Sequence, residues 1–147
     1  MIHGNMNNKP LDLREGEECY YLSVPHQNDW ANIKILHGIY SQEPYSNCIY
    51  ARTEKLLLGR QSAIQDLFKN MNIERYPQCP KGEKGFYRIT VSDDSNFARL
   101  IVQSPDGSKS DNQIQYTNNC FLKKEDAKKI ASEISSILRG IPIIDSD

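Results

Sequence analysis

The sequence lacks the features that mark several classes of protein. No C-x-x-C pair occurs among its cysteines, which argues against a zinc ribbon or a thioredoxin-type redox site. No apolar run approaches the length of a membrane span, and the N-terminus has no apolar core of a secretory signal. No glycine-rich phosphate loop is present. We therefore expect a cytoplasmic protein with no membrane association, no bound metal or cofactor, and free, mostly packed thiols at Cys19, Cys48, Cys79 and Cys120.

Neither sign of charge dominates any part of the chain. The 147 residues include 18 basic and 19 acidic side chains, and each half is close to neutral. This balance argues against indiscriminate binding to phosphate backbones. The apolar fraction of 38% and the mean hydropathy of -0.64 indicate a polar chain, but eight tyrosines and four phenylalanines supply large side chains for burial. The length fits one domain, or two small units that share a core.

The best-defined element is a helix within residues 116–140. Apolar residues recur there at the i, i+3, i+4, i+7 spacing of one buried helix face. They are Ala127, Ile130, Ala131, Ile134, Ile137 and Leu138. Glu125 and Asp126 suit its N-terminus, where the helix dipole favours negative charge. Gly140 is predicted as the C′ residue, and Pro142 prevents the helix from continuing.

The remaining chain predicts short strands in two groups, each followed by a helix. In the first group, β-branched and aromatic residues mark three strands, and Gly59 directly precedes the helix. These elements are strands at 17–24, 31–40 and 47–52 and a helix at 60–71. In the second group, the turn sequences SDDSN and SPDGS separate three strands that precede the C-terminal helix. These strands are at 86–91, 97–103 and 113–117.

We therefore predict an α+β fold of two three-strand-plus-helix units, with one helix covering a face of each sheet. The sheets should be mostly antiparallel, because the connections between strands are too short for crossovers. The predicted organisation is a flexible arm at 1–10, a first unit at 11–71, a linker at 72–85, a second unit at 86–140 and a C-terminal tail at 141–147. The sequence does not decide whether the two units share one core.

Few residues suit catalysis. His26 and Asp29 lie in one loop and could form an orienting pair, although a polar loop anchored by a buried Trp30 explains the same residues. Cys79 lies in the loop PQCP, where an exposed thiol could act as a nucleophile with His26 or His37 as base. His37 alternates with isoleucines, which favours a core or half-buried residue over a ligand. We predict that the chain is not an enzyme.

The tyrosines of the first half are the best candidates for a binding surface. Alternation along a strand places Tyr20 and Tyr21 on opposite faces, so the sheet cannot bury every ring. Exposed tyrosine gives a protein interface a large contact area at low entropic cost, although ordinary strand composition explains the same residues. The predicted interface residues are Tyr20, Tyr21, Tyr40, Tyr45, Tyr50 and Trp30.

The alternative is a nucleic-acid-binding surface on the C-terminal helix. The run KKEDAKKIA, from Lys123, resembles the second helix of double-stranded-RNA-binding domains, which follows three strands and carries lysines that contact phosphates. The resemblance implies phosphate contacts by Lys123, Lys124, Lys128 and Lys129. A solvated helix face explains the same lysines.

A second resemblance concerns the whole chain. A compact β unit with a closing helix that begins F-x-K-K-E-x-A, here Phe121 to Ala127, resembles small uncharacterised proteins of phages and mobile elements. Such proteins bind host macromolecules, including as inhibitors of host defence nucleases. The resemblance implies a host protein or protein complex as the partner.

Overall fold

The computed structural model describes residues 16–25, 29–39, 49–76, 86–94, 97–103 and 119–146. Within these ranges the chain forms two three-stranded sheets and two helices, which confirms the predicted α+β class. The elements in chain order are β1 (Glu18–Ser23), a 3₁₀ turn (Trp30–Asn32), β2 (Lys34–Ile39), β3 (Tyr50–Ala51), α1 (Lys55–Asn70), β4 (Arg88–Asp94), β5 (Phe97–Gln103), α2 (Lys124–Ile137) and β6 (Ile143–Ser146).

The first sheet is antiparallel, with strand order β2-β1-β3. Tyr20 in the central strand lies opposite His37 of β2 and Ala51 of β3. The middle of β1, Tyr20 to Leu22, consists of aromatic and aliphatic residues that suit a half-buried pleated surface. Among the described strands, β2 has a neighbour on one side only.

The second sheet is mixed, with order β4-β5-β6, and its third strand comes from the residues predicted as a C-terminal tail. Strand β6 pairs in parallel with β5, from Leu100 opposite Ile143 to Gln103 opposite Ser146. The parallel pairing is possible because α2 intervenes and returns the chain to the same end of the sheet. The strand predicted at 113–117 lies outside the described residues.

Helix α1 begins five residues earlier than predicted, at Lys55 rather than at residue 60. Gly59, predicted to precede the helix, therefore lies inside it on the exposed side. The early start follows from Leu57, whose side chain is fully buried in the first turn. Burial of that side chain outweighs the cost of about 1 kcal/mol for a glycine in a helix.

The predicted apolar face of α2 is confirmed. Five of its six residues are buried and the sixth, Ile137, is half-buried. The helix terminus differs from the prediction: Arg139, with φ 65, occupies the left-handed C′ position that was assigned to Gly140. The amide of Gly140 donates to the Ser135 carbonyl and that of Arg139 donates to the Ser136 carbonyl, the two bonds of a Schellman motif.

The two units share one hydrophobic core. The Trp30 ring from the first unit is 1% exposed, and its Nε1 donates to the carbonyl oxygen of Ile89 in β4 at 2.8 Å. Ile64 of α1 and Ile134 of α2 are fully buried in the same apolar cluster. Neither sheet therefore folds around a separate core.

The cysteines divide between two states. Cys19 is a buried free thiol, as predicted. Cys120 is 1% exposed and disulfide-bonded, so the prediction of a free thiol is wrong for Cys120. The backbone amide of Tyr76 donates to the Cys120 carbonyl at 2.8 Å, and this bond fixes the chain directly before α2.

Candidate interaction surface

One face of the first sheet carries four side chains that we name the Tyr20 surface: the half-buried Tyr20 and the exposed Glu18, His37 and Ile39. The strand register pairs Glu18 with Ile39 and Tyr20 with His37, and alternation places all four on one face. The Tyr20 and His37 rings stack with centroids 4.9 Å apart. His37 Nε2 lies 2.9 Å from Glu18 Oε1. These contacts hold the His37 ring between a carboxylate and an aromatic ring.

Much of the Tyr20 surface is open to solvent. The side chains of Glu18 and His37 are 69% and 52% exposed, and Ile39 is 60% exposed. Farther along the same face, Leu22 and Ile35 lie opposite each other and contribute to the shared core. The face therefore changes from core to surface along β1 and β2.

The other predicted interface residues occupy different positions. Tyr21 and Tyr50 lie opposite each other, with ring centroids 5.2 Å apart, and both are half-buried. Trp30 is not available to a partner, because its ring fills the core and its N–H is used internally. Tyr40 and Tyr45 lie outside the described residues.

The lysines of α2 are partly neutralised by β6. Lys124 Nζ lies 3.0 Å from Asp145 Oδ1, and Lys128 Nζ lies 3.3 Å from Asp145 Oδ2. Lys123 and Lys129 are exposed and have no ion-pair partner among the described residues. One carboxylate thus pairs with two of the four lysines to which the resemblance to double-stranded-RNA-binding domains assigns phosphate contacts.

The pairing of Asp145 with Lys124 and Lys128 predicts how the stability of the fold changes at acidic pH. Hydrogen bonding to Lys124 holds the pKa of Asp145 below its usual value, and Lys128 acts in the same direction. Stability from this carboxylate is therefore present above the unfolded pKa of about 3.9 and is lost as pH falls through the lower folded pKa. We expect Asp145→Asn to flatten the acid limb of the stability profile, measured as urea midpoints between about pH 2 and pH 7. An unchanged acid limb would contradict the pairing.

Within the described residues, no two of the predicted catalytic side chains lie together. His26 and Cys79 lie outside them, and Asp29 accepts a hydrogen bond from Asn32 Nδ2 at 2.6 Å. His37 is more exposed than predicted, and its described hydrogen-bond partner is Glu18. Burial raises the pKa of the Cys19 thiol, which disfavours the reactive thiolate.

A shallow groove of about 290 Å³ separates the end of α1 from α2. Its lining combines the apolar residues Leu67, Met71, Ile73 and Ile130 with the polar residues Asn70, Asn72, Lys129 and Glu133. The lining includes no cysteine or histidine. The groove therefore offers no thiol paired with an imidazole, the arrangement of a cysteine nucleophile and its base.

Sequence reasoning missed Glu18 and Ile39 as neighbours of Tyr20. The sequence contained part of the information, since alternation along β1 places Glu18 and Tyr20 on one face of the sheet. The contribution of His37 and Ile39 depends on the register between β1 and β2, which alternation along either strand does not specify.

Two further features are absent from the described part of the chain. No helix there is long and apolar enough to cross a membrane. No group of three or more His, Cys, Asp or Glu side chains there could hold a metal ion. Comparison with models of protein families, with curated proteins and with solved structures found no match to this chain.

Proposed function

We propose that this chain is a non-enzymatic binding protein that acts through a protein interface at the Tyr20 surface. The observation that carries the proposal is an exposed isoleucine, Ile39, beside an ordered pair of rings. Following the resemblance to phage and mobile-element proteins, the partner we propose is a host protein and the role is its inhibition.

The chemistry of the Tyr20 surface supports a protein partner. Covering Ile39 and the open part of the Tyr20 ring would remove apolar area from water. The contacts of His37 with Tyr20 and Glu18 already restrict these side chains, so binding would immobilise them at a reduced entropic cost. Aromatic groups ringed by polar side chains are typical of the central residues of protein interfaces.

The charge arrangement favours a protein partner over nucleic acid. Asp145 lies against Lys124 and Lys128, so phosphate contact there would compete with an existing carboxylate. Lys123 and Lys129 alone would support about two phosphate contacts and only a shallow salt dependence. Each half of the chain is also nearly neutral, with no excess of basic residues.

The test is capture of a partner by the tagged full chain from a lysate of the cells in which it acts. Nuclease-treated and untreated lysates are compared. We expect a stoichiometric protein that survives nuclease treatment. Ile39→Glu should reduce its capture by about tenfold or more, because a charge would replace an apolar contact at the centre of the interface.

The matched control is Ile144→Glu, which makes the same change at an exposed isoleucine of the second sheet. Capture by this variant should equal that of the unmodified chain. Equal capture by Ile39→Glu and Ile144→Glu would exclude the Tyr20 surface. Capture that disappears with nuclease would favour the lysine face of α2 instead.

A further inference from the structure

The outer edge of β2 presents backbone groups for pairing. The Leu22 amide donates to the Ile49 carbonyl at 3.0 Å, so Leu22 directs its backbone polar groups away from β2. Ile35 lies opposite Leu22 and therefore directs its own N–H and C=O away from β1. The direction of the backbone N–H and C=O groups alternates from residue to residue along a strand. The backbone groups of His37 and Ile39 therefore also point away from β1. No described strand pairs with this edge.

The edge has few of the devices that prevent strand pairing. Natural edge strands carry charges, prolines or bulges that discourage contact with another chain. In β2 the only lysine is Lys34, at the start of the strand, and no proline occurs. Leu36 and Ile39 are 39% and 60% exposed. The edge is thus apolar, and none of the described strands uses its outward-facing backbone groups.

We propose that two copies of this chain pair through the outer edges of β2, antiparallel about a two-fold axis at Leu36, and form one continuous six-stranded sheet. A residue whose backbone N–H and C=O point out of the edge must lie opposite a residue of the same kind in the other copy. Ile35 of one copy therefore pairs with His37 of the other. Leu36 then lies against Leu36 of the second copy, where the side chains of a non-hydrogen-bonded pair are closest.

The side chains favour this register over its neighbour. A two-fold axis at His37 would place Leu36 opposite Gly38 of the second copy, and the Leu36–Leu36 contact would be lost. The axis at Leu36 instead places Lys34 opposite Gly38 of the second copy. Tyr21 Cε1 lies 3.3 Å from the position of a Gly38 Cβ, so the tyrosine ring covers that glycine. Lys34 would thus meet the Tyr21 ring of the second copy, a cation–π contact made twice.

The interface would be small. One pair of strand edges buries less area than a standard stable interface, so we expect a reversible dimer with a dissociation constant on the order of micromolar. The dimer does not depend on the proposed function, because it requires only the chain itself.

Analytical ultracentrifugation of the full chain, from about 1 to about 300 µM, tests the proposal. We expect a monomer–dimer equilibrium. Leu36→Lys should raise the dissociation constant by about tenfold or more, because it places two ammonium groups together at the two-fold axis. Ile144→Lys is the matched control, since Ile144 is 40% exposed on the second sheet, and it should dimerise as the unmodified chain does.

A mixture of Leu36→Lys and Leu36→Glu should restore the dimer, because opposite charges would then meet at the axis. This rescue also shows that both variants fold. A chain that stays monomeric throughout the range would overturn the proposal and leave the edge to an extended segment of another protein. A dimer that Leu36→Lys weakens no more than Ile144→Lys does would also overturn it.

Discussion

Replacement of Trp30 by alanine is expected to lower the free energy of unfolding by about 3–5 kcal/mol, the range for loss of a large buried aromatic side chain. The Trp30 ring is 1% exposed and lies in the core shared by both sheets. Its indole N–H donates to the carbonyl oxygen of Ile89 at 2.8 Å. The measurement is equilibrium urea unfolding followed by far-ultraviolet circular dichroism, which does not depend on tryptophan fluorescence.

Trp30→Phe separates the ring from its hydrogen bond. Phenylalanine keeps an aromatic ring at this site but removes the N–H donor and a part of the indole volume. The Ile89 carbonyl still accepts a hydrogen bond from Asn119, so we expect this variant to lose about 1–2 kcal/mol. A loss below about 1 kcal/mol for Trp30→Ala would contradict the packing of the ring between the two sheets.

The second large effect is expected at Asn119, the single buried polar residue among the described side chains. Its Oδ1 accepts from the amide of Ile89 at 3.0 Å, and its Nδ2 donates to the Ile89 carbonyl at 2.9 Å. Asn119→Ala removes the described partner of a buried backbone N–H. We expect a loss of about 2–3 kcal/mol in the same urea experiment, because an unsatisfied buried donor costs its full desolvation energy.

Two further variants sharpen the test at position 119. Asn72→Ala, at an exposed asparagine, should change stability by less than about 0.5 kcal/mol. Asn119→Asp keeps an acceptor for Ile89 N–H but replaces the donor with a carboxylate that faces a carbonyl. A buried acid has a raised folded pKa, so its destabilisation should grow as pH rises through about 3.9. Stability of Asn119→Asp that is independent of pH would contradict the bidentate contact.

The Ile89 contacts also explain why the two units share one core. The Ile89 carbonyl accepts from Trp30 of the first unit and from Asn119 directly before α2. Removal of either donor leaves the other in place, so the double variant Trp30→Phe with Asn119→Ala should lose more than the sum of the two single losses. Both donors were visible in the sequence, but their common acceptor lies 59 residues from Trp30.

Helix α2 and the strands β1 and β5 could be predicted from residue order alone. The buried face of α2 repeats at helical spacing, and the predicted bounds 97–103 match Phe97–Gln103. These patterns are local, because each element must bury one face wherever it lies in the fold. The start of α1 was harder to predict, because a glycine such as Gly59 commonly lies at the end of a helix. Only the burial of Leu57 shows that the helix begins earlier.

The candidate site could be predicted only in part. Tyr20 is predicted from the alternation of side chains along its strand, whereas its stacking on His37 and the exposure of Ile39 depend on how β1 and β2 align. Trp30 was included in the predicted interface because of its residue type. Whether a tryptophan packs inside or outside depends on the surface that the rest of the chain offers it.

Spacing along the chain was enough to predict that α2 is helical, that β1 and β5 are extended, and which face of α2 is buried. Other features depend on the packed fold. It made β6 a parallel third strand, placed Asp145 against two lysines of α2, joined Cys120 in a disulfide, and left β2 at the edge of its sheet. The physical reason is that each of these features joins residues far apart in the chain, and their contact energy exists only once the fold brings them together.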